Sequence, residues 1–304
     1  MLAYLLCRLA GIVAPRVPRR LGYALMALVA AVAYRFSAGN RRMIQCNLRR
    51  ALGGGADPER VDQVARHIFH NLLKNYFDLF WLPAQSEETM ARLITVHGIE
   101  NAHDALTLGK GLIAVSAHMG NQEVMIQVRA ITELKLTLVV EHVKNERVFR
   151  YLTSLRQMSG IHLIPHDGAL KELFRALKRN EVIGLVFDRD IAGSGRIAPF
   201  FGQPARLPDG YAILALKLGA PVVPAFIVRQ SDDSYAAYVE KPLRFEGRAD
   251  NDEDVERVMV SVGKVVEDYI TRFVDEWVYF HYIWEEDKGR GQIHRAQTTD
   301  AKPQ

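Results

Sequence analysis

The chain reads as an α/β protein, a single domain with a largely parallel central sheet flanked by helices and preceded by apolar, basic N-terminal helices. Three observations predict this. Short apolar runs bounded by turn residues recur at 111–117, 136–140, 161–165, 182–187 and 221–228. Stretches of helical spacing separate most of them, the alternation expected of βα units around a buried parallel sheet. Finally, 304 residues with 49% hydrophobic and 24% charged side chains suffice for one large core and exclude a polytopic membrane protein, a collagen, a coiled coil and a disordered chain.

The first segment, 1–56, holds two apolar stretches, 2–15 interrupted by Arg8 and 21–34 without any charge, joined by a connector running from Arg16 to Arg20. As a helix the second stretch spans about 21 Å, short of the roughly 30 Å hydrocarbon core. Nine arginines and no acid fall in the first fifty residues, so the formal charge of +4 is an N-terminal property. Arg8, Arg35, Arg41, Arg42, Arg49 and Arg50 suit helices lying in the headgroup region of an anionic leaflet. Competing readings are a pair of core helices with a solvated arginine rim, and a secretory leader in which Ala31-Val32-Ala33 imitates a cleavage site.

The second segment, 57–286, opens with Asp57-Pro58, a cap and first-turn proline for a helix to about Trp81, with Val61, Val64, Ala65, Ile68, Leu72 and Leu73 at helical spacing. Further helices are expected at 122–133, 146–159, 169–179 and 210–218. A last strand near 235–240 precedes a long helix from about Asp252 to Val274. The polar tail, 287–304, has the composition of a disordered segment. Cys7 and Cys46 have neither metal-ligand spacing nor a disulfide framework around them, so a reducing compartment is the default.

Generic catalytic templates fail. There is no Gly-x-Ser-x-Gly elbow, no Walker A sequence, no His-Glu-x-x-His and no Cys/His cluster, so neither a serine nucleophile nor a bound metal is expected. Gly193-Ser194-Gly195 lacks the third glycine of a dinucleotide fingerprint. The basic residues are interleaved with aliphatic rather than aromatic side chains, which argues against nucleic acid.

Two constellations remain. The run Ser116-Ala117-His118-Met119-Gly120-Asn121-Gln122-Glu123 lies where an apolar strand ends and a helix begins, the edge at which open parallel sheets bind ligands. Gly120 permits a tight turn and Asn121 can cap the helix. His118 and Glu123, one turn into it, can face each other as an oriented general base. The backbone amides of Gly120 and Asn121 are candidate oxyanion donors. The second constellation, Asp188-Arg189-Asp190, ends another strand and leads through Arg196 to Arg206; Arg189, with Arg156 and Arg206, suits phosphate groups of acceptor or donor, the alternative being ordinary structural ion pairing. Phe200-Phe201 is either an acyl-chain lining or a hairpin packed into the core.

Together and in this order, about 70 residues apart, the two segments resemble the lipid A biosynthesis acyltransferase family, most closely its branch that acylates phosphatidylinositol mannosides. The resemblance runs from the basic N-terminal helices through Asn47-Leu48 to Tyr269-Ile270 and the stretch from Trp277 to Trp284. It implies that the His-x-x-x-x-Asp/Glu motif supplies the base, here His118 with Glu123, that Asp188 relays charge to the histidine, and that Glu141 and Arg156 occupy family site positions. Glu123 stands where the mannoside branch usually has aspartate, one methylene shorter, which leaves open whether Glu123 or Asp188 contacts the imidazole.

The expected activity is O-acyl transfer from an acyl thioester to a hydroxyl of a membrane glycolipid or phospholipid, with no cofactor beyond the co-substrate. The donor is acyl-coenzyme A or acyl carrier protein. Lys144, Arg147 and Arg150, and on a later helix Arg175, Lys178 and Arg179, are candidate docking cations for either anionic carrier. The implied location is peripheral or monotopic, on the cytoplasmic face of the plasma membrane. A thioesterase using the same His118, and a non-catalytic membrane scaffold, are the alternatives. Because all the chemistry lies in 111–228, removal of residues 1–36 is expected to spare the site.

Overall fold

The computed structural model describes residues 1–157, 160–165, 168–191, 193–284 and 286–287, without the side chains of 128–131. Most of the proposed tail lies outside the described residues.

Four helices open the chain: α1 (Leu2–Val13), α2 (Arg19–Phe36), α3 (Ala38–Ala51) and α4 (Pro58–Trp81). Asp57 caps α4 as expected, its carboxylate accepting from the Glu59 amide at 3.1 Å, with Pro58 in the first turn. The apolar spacing read in α4 buries Val61, Val64, Ala65 and Ile68 against Tyr34, Ile44 and Leu48 of α2 and α3. Among the described residues no single helix is long and apolar enough to cross a membrane; α2 and α3 meet that test only as a pair bent by 91°.

A short helix α5 (Glu87–Leu93) leads into β1 (Ile94–His97) and α6 (Ile99–Leu106). Then come β2 (Leu112–Ser116), α7 (Gln122–Thr132), β3 (Leu136–Val140), α8 (Glu146–Gln157), β4 (His162–Pro165), α9 (Ala169–Lys178) and β5 (Val182–Val186), each within a residue or two of its expected bounds. An antiparallel hairpin, β6 (Arg196–Phe200) with β7 (Gln203–Leu207), separates β5 from α10 (Gly210–Leu218), β8 (Val222–Arg229), β9 (Tyr235–Val239) and the long α11 (Asp252–Arg272).

The sheet order is β1-β9-β8-β2-β5-β3-β4, with every pairing parallel except β8 with β9. One face packs Ile113, Val115, Ile183 and Phe226 against Val258, Val262 and Val266 of α11. Since β3 and β5 flank one another on one side of β2 while β8 lies on the other, the chain reverses its winding at β2. A crevice therefore opens at the carboxyl ends of β2 and β5, where ligands settle in open α/β sheets.

Two expectations change here. The Phe200-Phe201 pair belongs to the hairpin alternative: Phe200 is enclosed by Phe187, Trp277 and Trp284 and does not line the cavity below. The first helices are also tied to the rest of the molecule. Tyr23 of α2 is buried and hydrogen-bonds Asp78 of α4, so removing 1–36 would strip partners from that buried carboxylate.

Candidate active site

Strand register explains how residues 70 apart meet. In the β2–β5 pairing Ser116 lies opposite Val186, and two residues further on each strand brings His118 beside Asp188. The Asp188 carboxylate is fully enclosed and accepts three bonds: from the His118 ring at Nδ1 (2.7 Å), from the His118 amide (3.0 Å) and from the Trp277 indole (3.0 Å). Burial pushes this carboxyl up, but the imidazole charge and the three donors outweigh it and hold it below the ordinary range. With Nδ1 committed, the ring presents Nε2 to the cavity that His118 lines.

The loop from Ala117 to Asn121 is fixed on several sides. The Val278 amide donates to the His118 carbonyl (2.8 Å), and the Gly120 amide donates to the Glu276 carbonyl (2.7 Å). The Asn75 side chain donates to the Gly120 carbonyl (2.6 Å). Gly120 has φ of +58°, and a Cβ there would sit 2.0 Å from the Ile227 carbonyl oxygen, so only glycine fits. Tyr279 lies tilted against the His118 ring, centroids 5.4 Å apart.

These contacts exclude one of the two expected oxyanion donors. The Gly120 amide is spent on Glu276 and is not free for a substrate oxygen. Asn121 is wholly buried: its Oδ1 caps α7 through the Glu123 amide (3.0 Å), the role expected of it, while its Nδ2 donates to Asp78 and Tyr235. Asn121 is not among the residues lining either cavity.

Of the two carboxylates left open as partners of the imidazole, Asp188 makes the bond. Glu123 instead receives Arg156 of α8 through Nε (3.0 Å) and Nη2. Burial opposes the charge on Arg156, yet Glu123 keeps it firmly protonated. A second pair, Arg189 with Glu141 at 2.7 Å, lines the same cavity, so two of the proposed phosphate ligands, Arg156 and Arg189, are already matched to carboxylates. Arg206 donates to the Gly195 carbonyl at 2.8 Å. Asp190 accepts the Gly193 and Gly195 amides and shapes the loop rather than the chemistry.

Two cavities meet this region. The larger, about 720 Å³, has His118, Glu123, Glu141, Arg156 and Arg189 among its lining and continues between the sheet and α6 and α7 along Leu112, Ala114, Met125, Ile126, Leu136, Leu138 and Val223. Its width owes much to Gly184, where a side chain would strike Leu138. The smaller, about 270 Å³, is lined by Asp188, Arg189, Asp190, Arg206, Tyr279 and His281. An apolar channel, an oriented imidazole and a polar recess are what a base acting between a lipid chain and a polar acceptor needs.

Sequence reasoning missed Trp277 as a donor to Asp188 and the residues that hold the loop from behind, Asn75, Asp78, Arg229, Tyr235 and Glu276. Asp78 carried a signal: a lone acid in Tyr76-Phe77-Asp78-Leu79-Phe80-Trp81 lies on a face that must be buried and therefore needs partners.

Residues 3–286 match the model of the bacterial lipid A biosynthesis acyltransferases. Among curated proteins the chain is 27% identical over 193 residues to a phosphatidylinositol mannoside acyltransferase of Mycobacterium tuberculosis (strain CDC 1551 / Oshkosh), covering 61% of this chain and 60% of the relative. It is 29% identical over 192 residues to the protein of that name from Mycolicibacterium smegmatis, covering 61% and 62%. The aligned stretch thus spans about three fifths of these relatives. With the family match extending over nearly the whole chain, including both strand-end motifs, the protein belongs to the bacterial lipid A biosynthesis acyltransferase family.

Proposed function

We propose that the protein transfers an acyl chain from an acyl thioester, of coenzyme A or acyl carrier protein, to a hydroxyl of a membrane glycolipid such as a phosphatidylinositol mannoside or a lipid A precursor. The observation that carries this reading is the His118–Asp188 pair at the mouth of an apolar channel. Nε2 takes the proton as the acceptor oxygen attacks the thioester carbonyl; a C–O bond forms and the tetrahedral intermediate collapses with loss of the C–S bond. The imidazolium, stabilised by the Asp188 carboxylate, returns its proton to the leaving thiolate. The channel takes the acyl chain. The polar recess, with Arg189 and Arg206, takes the acceptor headgroup, exchanging the Glu141 partner of Arg189 for it.

The membrane seat is the N-terminal face. Leu2, Leu5, Leu6, Leu9 and Ile12 on α1, and Leu21, Leu25, Leu28, Val32 and Phe36 on α2, are all more than half exposed and fall at helical spacing. Arg8, Arg16, Arg20, Arg35 and Arg42 are exposed around them. Apolar stripes rimmed by cations suit an anionic leaflet on the cytoplasmic side, with the helices lying in the interface.

The test is an incubation of full-length protein with labelled acyl thioester and vesicles that contain or lack the glycolipid. The expected product is an acyl ester on the lipid, formed only when the acceptor is present. Release of free fatty acid at the same rate without acceptor would make the protein a hydrolase. Mass spectrometry of lipids from a deletion strain would name the acceptor as the lipid that loses one acyl chain.

A further inference from the structure

Behind the catalytic loop, away from both cavities, lies a buried polar cluster that acyl transfer does not itself use. Asp78 of α4 is fully enclosed, and its carboxylate accepts from the Tyr23 hydroxyl (2.7 Å), the Tyr235 hydroxyl (2.5 Å), Asn121 Nδ2 (2.9 Å) and Arg229 Nη2 (3.2 Å). Arg229, only 7% exposed, also donates to Tyr23 (2.6 Å) and to Asn75 Oδ1 (2.8 Å). Three bonds join the cluster to the catalytic loop: Asn121 Nδ2 donates to Asp78 and to Tyr235, and Asn75 donates to the Gly120 carbonyl at 2.6 Å. Their ends on the loop are two and three residues beyond His118.

An enclosed ion pair is an expensive way to gain stability, because its desolvation often cancels the attraction and apolar packing does as well. Its value here is directional. The cluster aims fixed donors and acceptors at the one loop whose backbone sets the imidazole. It also joins that loop to α2, because the Tyr23 hydroxyl bridges Asp78, Arg229 and, at 2.9 Å, Arg19. The next turns of α2 carry Leu21, Leu25, Leu28 and Val32, the exposed face.

We propose that Asp78 and Arg229 are positioning residues for His118, acting through Asn75, Gly120 and Asn121, and that Tyr23 makes the seating of the membrane-facing helix α2 a condition for full turnover. This rests on the reading of His118 as the base. Displacement of a catalytic group by about 1 Å costs up to ~10²-fold, so partial loosening of the loop lowers turnover without touching the donor or acceptor contacts.

The experiment compares Tyr23→Phe and Asn75→Asp with the parent in full-length, vesicle-bound protein. Asn75→Asp keeps an acceptor for Arg229 and turns the donor to Gly120 into an acceptor that repels its carbonyl, so it loosens the loop directly and answers the question where Tyr23→Phe fails to fold. In folded variants kcat should fall about tenfold with donor KM unchanged, and amides of residues 117–121 should exchange hydrogen faster. Wild-type kcat and loop exchange in variants that show only a lowered Tm would make the cluster structural and overturn the proposal. A parallel His118→Ala protein separates the two ideas: if it retains turnover, the base reading has failed, whatever the cluster does.

Discussion

Asp188 and Asp78 are both fully enclosed carboxylates, on opposite sides of the same five-residue loop, yet they have different surroundings. Asp188 takes a bond from an imidazole that lines a cavity, whereas Asp78 is surrounded by two tyrosines, an asparagine and an arginine and lines neither cavity. Burial of a charge therefore does not by itself mark the reacting centre. What marks it is access: the partner of Asp188 is 21% exposed, while the partner Arg229 of Asp78 is 3% exposed at its side chain. On the proposed reading the front carboxylate serves the chemistry and the rear one the frame.

Substitution should separate them. Asp188→Asn can keep an acceptor for Nδ1 but has no charge to stabilise imidazolium and sets its amide against the His118 and Trp277 donors, so transfer should fall by ~10² or more, with a smaller loss of stability than at Asp78. Asp78→Asn leaves buried Arg229 with only the more distant, partly exposed Asp233 as an ion-pair partner and should cost about 3–5 kcal/mol of stability in denaturant melts. Equal losses of stability from the two would erase the distinction drawn here.

A pH titration sharpens the same contrast. Glu276, whose backbone holds Gly120, has its carboxyl pushed up to about 7, chiefly by burial and also by Asp275, against the opposing pull of Arg229 and Lys74. The folded state then binds this proton more tightly than the unfolded chain. Its contribution is fully present below the ordinary value near 4.5 and is lost as pH rises through about 7, on the order of 3 kcal/mol at most. Asp188, held low, works in the other direction: its contribution is lost as pH falls. Glu276→Gln should flatten the decline in stability across this window, and an unchanged profile would remove Glu276 from the balance.

The smallest effect concerns the carrier. Lys144, Arg147 and Arg150 follow the carboxyl end of β3 and so stand on the site's side of the sheet. Arg175, Lys178 and Arg179 lie toward the end of α9, which leads to the opposite edge, and Arg175 and Arg179 are paired with Glu172 and Glu181. Arg150 is likewise paired, with Glu146, so it is position alone that favours the first cluster as the docking site for an anionic donor. Its reversal to glutamate should raise donor KM a few fold and flatten its salt dependence, with kcat little changed. Unaltered donor kinetics would place docking elsewhere.

Much of the sheet was legible because β2, β3, β5 and β8 are mostly apolar runs bounded by turn residues. The site was legible because strand ends put His118 and Asp188 on display. Four-residue β1, Ile94-Thr95-Val96-His97, is too short to show a period, and its burial depends on pairing with β9 far along the chain. The choice between Glu123 and Asp188 was not readable, since it depends on β2 pairing with β5 in one register and on Arg156 arriving from α8. The rear cluster was hidden for a similar reason: Tyr23, Asp78, Asn121 and Arg229 sit on four different elements, and only packing unites them.

The most direct test of the central claim is the rate of acyl transfer from thioester to lipid by His118→Ala, measured beside its melting temperature. If His118 is the base, as proposed, turnover should fall by at least ~10² while the protein stays folded and keeps whatever vesicle binding the parent has. A folded His118→Ala protein that transfers acyl chains at near the parental rate would contradict the account.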